Sequence, residues 1–343
     1  MLNWSNRTPA CLPPDHPPVM CVIVDTEEEF DWSQPFARAN TNTTAIAAQE
    51  LAHERIYDHL GIVPTYVIDW PVATTPAAYT ALREIMEDGR CEIGAHLHPW
   101  VSPPFIEEVC VSNSYAGNLP CELEFEKIRQ LTNAITENFQ RQPQVFKAGR
   151  YGLGPNTATI IEQLGYKVDA SVVPHTTFVA DGGPDFTAYA NQAFWFGSPS
   201  APLLALPVTT DYCGAVRSLG PKMYPKLDST LARLARVKGI LARGHLLERI
   251  RLTPEGCTLD EIKRLMLTLQ DQRQPMTLTY HSPSLVPRHT PYVRSSQDLE
   301  YFLKKIELAC RYFKEELGGV FMSATQIQQK LLASKDNNGF IPI

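Results

Sequence analysis

Short apolar runs alternate with amphipathic stretches along most of this chain. The run VMCVIV at 19–24 carries no charge, as is typical of strands buried on both faces. The stretch at 122–139 places its apolar residues at helical spacing. The predicted strands are 19–25, 62–70, 91–98, 144–152, 166–172, 203–209, 275–281 and 318–324, and the predicted helices are 44–60, 76–89, 122–139, 155–164, 228–248, 258–272 and 296–316. This order predicts an α/β architecture with parallel strands, either a barrel or a doubly wound sheet.

Acidic and histidine side chains gather where two of the predicted strands end. His96 and His98 are two residues apart in EIGAHLHPW, and Asp25 and Glu27 have the same spacing after VIV. Because side chains of a strand alternate between its faces, each pair points to one side. Two imidazoles and a carboxylate are a natural ligand set for a divalent metal such as zinc. The pattern therefore indicates an active site.

Other polar residues follow later strands. Arg150 ends FKAGR, Asp169 lies in YKVDAS, and His281 ends MTLTYH. Working residues of parallel α/β proteins gather at the C-terminal ends of the strands. We therefore expect these three side chains to share a site with the first two pairs. His175 and Asp211 are further candidates outside this pattern.

The motifs occur in the order found in a known family. VDTE at 24–27, HLH at 96–98, GRYG at 149–152 and LTYH at 278–281 resemble motifs of the polysaccharide deacetylases (the NodB-homology domain, carbohydrate esterase family four). The chain is similar to a divergent branch of that family over 19–325. The resemblance implies a deformed, seven-stranded (β/α) barrel. It also implies a divalent metal, usually zinc, that assists hydrolysis of an N-acetyl group.

The resemblance implies roles for the first two motifs. Asp25 corresponds to the general base, and Glu27, His96 and His98 correspond to the metal ligands. The family usually spaces its histidines as H-x-x-x-H, whereas this chain has H-x-H, and its acidic motif is more often two adjacent aspartates. An inactive module that binds metal or glycan is therefore an alternative interpretation.

The resemblance also implies roles for the later motifs. Arg150 would orient Asp25, and Tyr151 would lend a backbone N–H to the oxyanion. His281 would protonate the leaving amine. Asp169 either binds substrate or holds a neighbouring strand.

Aromatic residues near these motifs are candidates for a floor under sugar rings. Trp100 lies two residues after the HLH motif, and Tyr151 belongs to GRYG. Tyr212 lies in the irregular region after residue 175. Trp195 is more simply explained as core. Aromatic side chains would therefore contribute to substrate binding beside the charged residues.

Five acids lie within seven residues after the first strand. Crowded carboxylates raise one another's pKa and destabilise the fold unless a cation compensates them. A divalent ion with Arg150 would supply that charge. Glu28, Glu29 and Asp31, which match no motif, are interpreted as solvated loop charges.

Composition excludes several functional classes. The chain has 343 residues, 44% of them hydrophobic, and its 31 basic and 37 acidic residues give a net charge of −6. No basic patch dominates, so nucleic acid is not an expected partner. The basic segment at 233–251 has apolar residues at helical spacing. It is interpreted as solvated helix surface, with a groove for an anionic substrate as the alternative.

Location and domain organisation follow from the ends of the chain and its cysteines. The N-terminus lacks a signal-peptide pattern, and no run approaches the ~18 apolar residues that span a bilayer. We therefore expect a cytoplasmic protein whose eight cysteines are free, with Cys21 and Cys91 buried in strands. The predicted organisation is an N-terminal arm at 1–18, one domain at 19–325 and a tail at 326–343.

The expected activity is metal-dependent hydrolysis of an amide C–N bond, by a deacetylase acting on an amino sugar of a polysaccharide or its precursor. Cytoplasmic location favours a lipid- or nucleotide-linked precursor over mature cell wall. The alternative is an amidohydrolase of the same superfamily acting on a small cyclic imide or ureide. Oligomeric state does not follow from the sequence.

Overall fold

A sheet of parallel strands forms the centre of the computed structural model, which describes residues 7–228 and 236–337. The strands are β1 (Thr8–Pro9), β2 (Val19–Thr26), β3 (Thr65–Ile68), β4 (Glu92–Leu97), β5 (Val145–Ala148), β6 (Val168–Asp169), β7 (Phe194–Ser198), β8 (Ala201–Ala205), β9 (Thr210–Cys213), β10 (Glu248–Arg251), β11 (Met276–His281) and β12 (Val320–Phe321). Seven of them are parallel neighbours in the order β11-β2-β3-β4-β5-β6-β8. Their C-terminal ends therefore lie at one edge.

Helices connect these strands and cover the sheet. They are α1 (Gln49–Ala52), α2 (Asp58–Leu60), α3 (Trp70–Thr74), α4 (Pro76–Glu87), α5 (Cys121–Phe139), α6 (Thr157–Gln163), α7 (Gly220–Met223), α8 (Val237–Arg243), α9 (Leu259–Leu269), α10 (Ser296–Arg311) and α11 (Ala324–Asn337). A π-helical turn, His53–Tyr57, joins α1 to α2, and another, Tyr312–Glu316, extends α10. Thr258 and Ser295 begin α9 and α10 with capping boxes, which satisfy backbone N–H groups that a helix start leaves free.

Alternation along the strands separates two cores. Val19, Cys21 and Ile23 of β2 pack in an inner cluster with residues of β3, β5, β6 and β8. Met20 and Val22, on the other face, pack in an outer cluster with the helices. The inner face of β2 continues to Asp25 because the side-chain period is two. The candidate site is thus the polar end of the inner core.

The strand pairing of the described residues does not close into a complete barrel. The antiparallel strand pair β9–β10 lies between β8 and β11. The Leu252 N–H donates to the Thr209 carbonyl at 2.8 Å, and the Leu252 carbonyl accepts from the Thr279 N–H at 3.1 Å. Single hydrogen bonds through Leu252 therefore bridge the gap between the outer parallel strands.

The basic segment differs from its prediction as one helix. Within the predicted helix 228–248, α8 covers only Val237–Arg243, and residues 229–235 lie outside the described residues. The segment then forms β10, which pairs with β9. This strand was missed because the apolar residues at 246–250 fit helical spacing. The alternation of Arg249, Ile250 and Arg251 is too short to indicate a strand by itself.

Residues on both sides of the predicted domain boundaries at 18 and 325 pack into the inner core. Ala10 and Leu12 are buried there, as are Ile327 and Leu331 of α11. Residues 1–6 of the predicted arm and 338–343 of the predicted tail lie outside the described residues. The described parts of both segments therefore cover the end of the inner core opposite the candidate site.

The cysteine prediction is confirmed, since all eight are free thiols and Cys21 and Cys91 are buried. Among the described residues, no helix combines the length and apolar character needed to cross a bilayer.

Candidate active site

A cavity of about 420 Å³ opens at the C-terminal edge of the parallel strands. Its wall contains Asp25, Glu27, His96, His98 and His281, which end β2, β4 and β11 or directly follow them. Its aromatic lining is Phe30, Trp32, Phe36, Trp100, Tyr115, Tyr151, Phe178 and Tyr292. The structure thus brings together the two residue pairs and the late histidine that the sequence singled out.

Glu27, His96 and His98 form a compact group of three potential ligands. Their donor atoms all lie within 4.8 Å of one another. Oε2 of Glu27 is 3.5 Å from Nε2 of His96 and 3.5 Å from Nε2 of His98. All three residues are buried. The H-x-H spacing therefore places both imidazoles on one side of β4, as strand geometry predicts.

Both histidines are held with Nε2 directed toward Glu27. Nδ1 of His96 donates to the Lys147 carbonyl at 3.0 Å, and Nδ1 of His98 donates to Oε2 of Glu28 at 2.7 Å. A proton on Nδ1 leaves the Nε2 lone pair free to bind a metal. Gly149 lies against His98: a β-carbon there would be 2.3 Å from Cδ2 of His98. Glycine at 149 is thus required by the close approach of the His98 ring.

Glu28 was predicted to be a solvated loop charge, and this prediction is wrong. Its side chain is fully buried and accepts from His98 and, at 2.9 Å, from the Trp100 indole N–H. Its backbone N–H donates to Asp69 at 2.6 Å, and Asp69 also accepts from Val72 at the start of α3. Glu28 and Asp69 therefore form a buried layer behind the ligand group.

Burial keeps this part of the site low in charge. It lowers the pKa of His96 and lowers that of His98 to about 4, so both imidazoles are neutral near pH 7. Burial raises the pKa of Glu28 to about 8, and burial with the neighbouring Glu28 raises the pKa of Asp69 well above its ordinary value. Burial also raises the pKa of Glu27.

The three donors fit a divalent cation. Neutral imidazole nitrogens and a carboxylate oxygen are common zinc ligands, and three protein ligands are typical of catalytic zinc sites. Hydrogen bonds from the second ring nitrogen to a carbonyl and a carboxylate are the usual support of such histidines. The Lys147 carbonyl supplies this contact to His96 and Glu28 supplies it to His98. A cation would also relieve the burial cost of Glu27.

Lys147, rather than Arg150, contacts Asp25, which corrects the role predicted for Arg150. Nζ of Lys147 lies 2.5 Å from Oδ1 of Asp25, and both side chains are buried. Burial alone would raise the pKa of Asp25, but Lys147 and nearby histidines lower it to about 2. Lys147 points inward because it continues the inner face of β5 two residues after Val145.

Arg150 lines the cavity, and its side chain contacts the surrounding loops. Its guanidinium donates to Ser114 at 2.6 Å and to Asp181 at 3.3 Å, and it lies over the Tyr115 ring at 4.2 Å. Arg150 and Tyr151 have φ values of 53° and 60°, a left-handed conformation that turns the Arg150 side chain away from Asp25. Arg150 therefore holds the loops that contain Ser114 and Asp181, and it does not contact Asp25, the predicted base.

His281 faces Asp25 across the cavity. Its Nε2 lies 3.7 Å from Oδ2 of Asp25. Its Nδ1 lies 2.7 Å from Oε2 of Glu255, whose other oxygen accepts from Ser284 at 2.5 Å. Burial disfavours charge on His281, but Glu255 and the other nearby carboxylates raise its pKa well above the ordinary value. His281 is therefore protonated near neutral pH.

The predicted substrate and oxyanion residues divide into two groups. Tyr151 and Trp100 line the cavity, although Trp100 is only 2% exposed and stacks on His98 with ring centroids 4.3 Å apart. Asp169 is fully buried, accepts from Ser171 at 2.6 Å, and does not line the cavity. Since Ser171 in turn accepts from Ala148 of β5, Asp169 holds a neighbouring strand. Its prediction as a substrate residue is wrong.

The remaining candidates lie elsewhere. His175, Asp211 and Tyr212 line a separate polar cavity, where Nε2 of His175 is 3.5 Å from Oδ1 of Asp211. Trp195 is buried in the inner core, which confirms its interpretation as core.

No protein-family model matches this sequence, and no curated protein matches it significantly. Solved structures do match over nearly the whole chain. A protein named "probable Polysaccharide deacetylase" from Pseudomonas aeruginosa PAO1 has a TM-score of 0.55 at 14% identity, covering 99% of this chain and 98% of that one. The chain has the fold of the polysaccharide deacetylases.

Two further structures share this fold. A provisionally named polysaccharide deacetylase from Mycobacterium smegmatis has a TM-score of 0.53 at 14% identity, covering 96% of both chains. PuuE allantoinase has a TM-score of 0.55 at 14% identity, covering 97% of this chain and 96% of its own. These likenesses confirm the expected NodB-like fold class, here with seven consecutive parallel strands, β12 pairing parallel with the start of β2, and the gap bridged at Leu252.

Proposed function

We propose that this protein is a metal-dependent hydrolase of amide C–N bonds that removes an acetyl group from an amino sugar. The carrying observation is the pairing of Asp25 with His281, 3.7 Å apart, in the cavity that also contains the Glu27, His96 and His98 donor group. The shared fold with proteins named polysaccharide deacetylases supports the proposal.

Asp25 and His281 would divide the proton transfers of the reaction. As water attacks the acyl carbon, the ionised Asp25 accepts its proton. As the C–N bond breaks, Nε2 of His281 gives its proton to the nitrogen, and an acid and an amine are released. The opposite pKa shifts of the two groups suit this assignment.

Glu27, His96 and His98 would hold the metal. A divalent cation bound there would polarise the acyl carbonyl and make water more acidic. Lys147 keeps Asp25 ionised and fixed, and Glu255 keeps His281 protonated and oriented. Each proton-transfer group therefore has its own buried partner of opposite charge.

A cyclic imide or ureide is a second candidate substrate class. The favouring observation is the cavity itself, since eight aromatic side chains enclose about 420 Å³, which suits a compact planar ring. The chemistry required of Asp25 and His281 is unchanged, because ring opening also breaks an amide C–N bond.

Acetate release tests the proposal. Purified protein is freed of metal with a chelator, reloaded with Zn²⁺, Co²⁺ or Ni²⁺, and incubated with N-acetylglucosamine, its oligomers and a cyclic ureide. We expect acetate from an acetylated sugar, dependent on metal and abolished by Asp25→Asn. Ring opening without acetate release would favour the second candidate, and no turnover of either class with any metal would refute the hydrolase proposal.

A further inference from the structure

Arg251 is the cationic group of the cavity that lacks a partner of opposite charge among the described residues. It ends β10 and lines the cavity beside Tyr151. Its Nη1 donates to the Tyr151 hydroxyl at 3.3 Å, and its guanidinium lies 5.4 Å from the centroid of that ring. Within residues 7–228 and 236–337, no carboxylate lies within salt-bridge distance of it.

Apart from Glu27, which belongs to the proposed metal-ligand group, the other charged groups of the cavity wall are matched. Asp25 contacts Lys147, Arg150 contacts Asp181, and His281 contacts Glu255. A guanidinium offers five N–H donors, and Arg251 uses one of them on a neutral hydroxyl. Among the residues that the structure describes, its remaining donors therefore have no acceptor that would explain a cation at this position.

We propose that Arg251 forms an anion-binding subsite, so that the substrate carries a carboxylate or phosphate group in addition to its amide. The amide part of this inference rests on the proposed function. The planar guanidinium fork matches both kinds of oxyanion in bidentate geometry. The alternative interpretation of the basic segment 233–251, a groove for an anion, therefore applies to its last residue.

The subsite lies beside the histidine that would protonate the leaving amine. The residue after Arg251, Leu252, accepts from the Thr279 N–H, two residues before His281 on β11. Trp32 contacts His281 with ring centroids 4.9 Å apart. The anion therefore belongs to the amine portion of the substrate, and not to the acyl group that is removed.

Matched ligands test the subsite by calorimetry. The ligands are N-acetylglucosamine, its 6-phosphate, and N-acetylmuramic acid, which carries a carboxylate. We expect the metal-loaded protein to bind one charged ligand about tenfold to hundredfold more tightly than the neutral sugar. Comparing the phosphate with the carboxylate identifies the preferred group. Arg251→Gln is expected to remove this preference while leaving affinity for the neutral sugar within about twofold.

Arg249→Gln is the matched control. Arg249 lies on the same strand, donates to the His175 carbonyl and lies outside the cavity lining, so the preference should persist in this variant. Inorganic phosphate provides a test on the unaltered protein: it should weaken binding of the 6-phosphate and leave binding of the neutral sugar unchanged.

Three results would overturn the subsite. They are equal affinity of the unaltered protein for neutral and charged ligands, a preference that survives Arg251→Gln, and an equal loss for both ligands in that variant. The last result would assign Arg251 to holding Tyr151. Acetate release from an acetylated sugar, by a protein whose affinity for the charged ligands does not depend on Arg251, would overturn the subsite alone. Arg251-dependent binding without acetate release would overturn only the proposed function.

Discussion

Two walls of one cavity hold histidines in opposite charge states. On the β4 wall, His98 is neutral, with its pKa lowered to about 4. On the β11 wall, His281 is protonated, with its pKa raised well above its ordinary value. In both cases Nδ1 lies 2.7 Å from a glutamate oxygen. The hydrogen bond alone therefore does not decide the charge of the imidazole.

The difference lies in what surrounds each glutamate. Glu28 is fully buried against Asp69, and its pKa of about 8 keeps it largely protonated near neutral pH. It therefore orients His98 without supplying a full negative charge. Glu255, together with Glu27 and Asp25, raises the pKa of His281. One wall is thus suited to donate lone pairs to a metal, and the other to donate a proton.

Removing an imidazole from the β4 wall should have the largest effect. His96→Ala deletes one of three donors, and we expect metal content measured by elemental analysis to fall from about one ion per chain to near zero. Hydrolysis should fall to background. His59→Ala, at an exposed position of α2, is the matched control. Full metal content in His96→Ala would contradict the assignment of this wall.

Removing the imidazole of the β11 wall should separate chemistry from metal binding. His281→Asn deletes the proposed acid, and we expect kcat to fall by about 10²- to 10⁴-fold. Metal content should stay at the level of the unaltered protein, because His281 is not one of the three donors. Loss of metal together with activity would show that the two walls do not have separate roles.

The residues that end regular strands were predictable from sequence. Asp25, His96 and His281 follow apolar runs. The two-residue period of a strand and the parallel direction of the strands were enough to predict that these side chains meet at one edge of the sheet. Lys147 had a usable signal, a single charge in the run VFKA, which only an inward-facing partner explains. The role of Arg150 was misassigned because a left-handed turn decides it. The two roles left open for Asp169 could not be separated from the sequence, because the side-chain link to Ser171 that decides between them has no spacing signature.

The supporting residues were not predictable in the same way. Glu28 stands among acids of similar appearance, and its burial depends on the distant Asp69. Arg251 ends β10, which was missed because the basic segment has helical spacing. Glu255 lies in the loop between β10 and α9, where no strand end marks it as a site residue. Long-range packing therefore determines which charges are buried, whereas local pattern determines where strands end.

Glu28→Gln should sharpen the contrast between the walls with a moderate effect. The amide keeps the size of the side chain but changes the acceptor that holds Nδ1 of His98. Loss of such support typically lowers metal affinity by about 10- to 100-fold, measurable by competition with a chromophoric chelator. Glu54→Gln, at an exposed position, should change nothing. An unchanged metal affinity in Glu28→Gln would show that burial alone orients His98.

Glu255→Gln should give the smallest change, a shift in pH dependence. Because His281 acts when protonated, activity should fall as pH rises through its pKa. Removing the Glu255 charge removes a main cause of the raised pKa, so the alkaline limb of the kcat profile should move to lower pH. The exposed control Glu122→Gln should leave that limb in place. An alkaline limb that does not move in Glu255→Gln would mean that His281 is not the group whose deprotonation limits turnover, and the β11 wall would then lose its proposed role as proton donor.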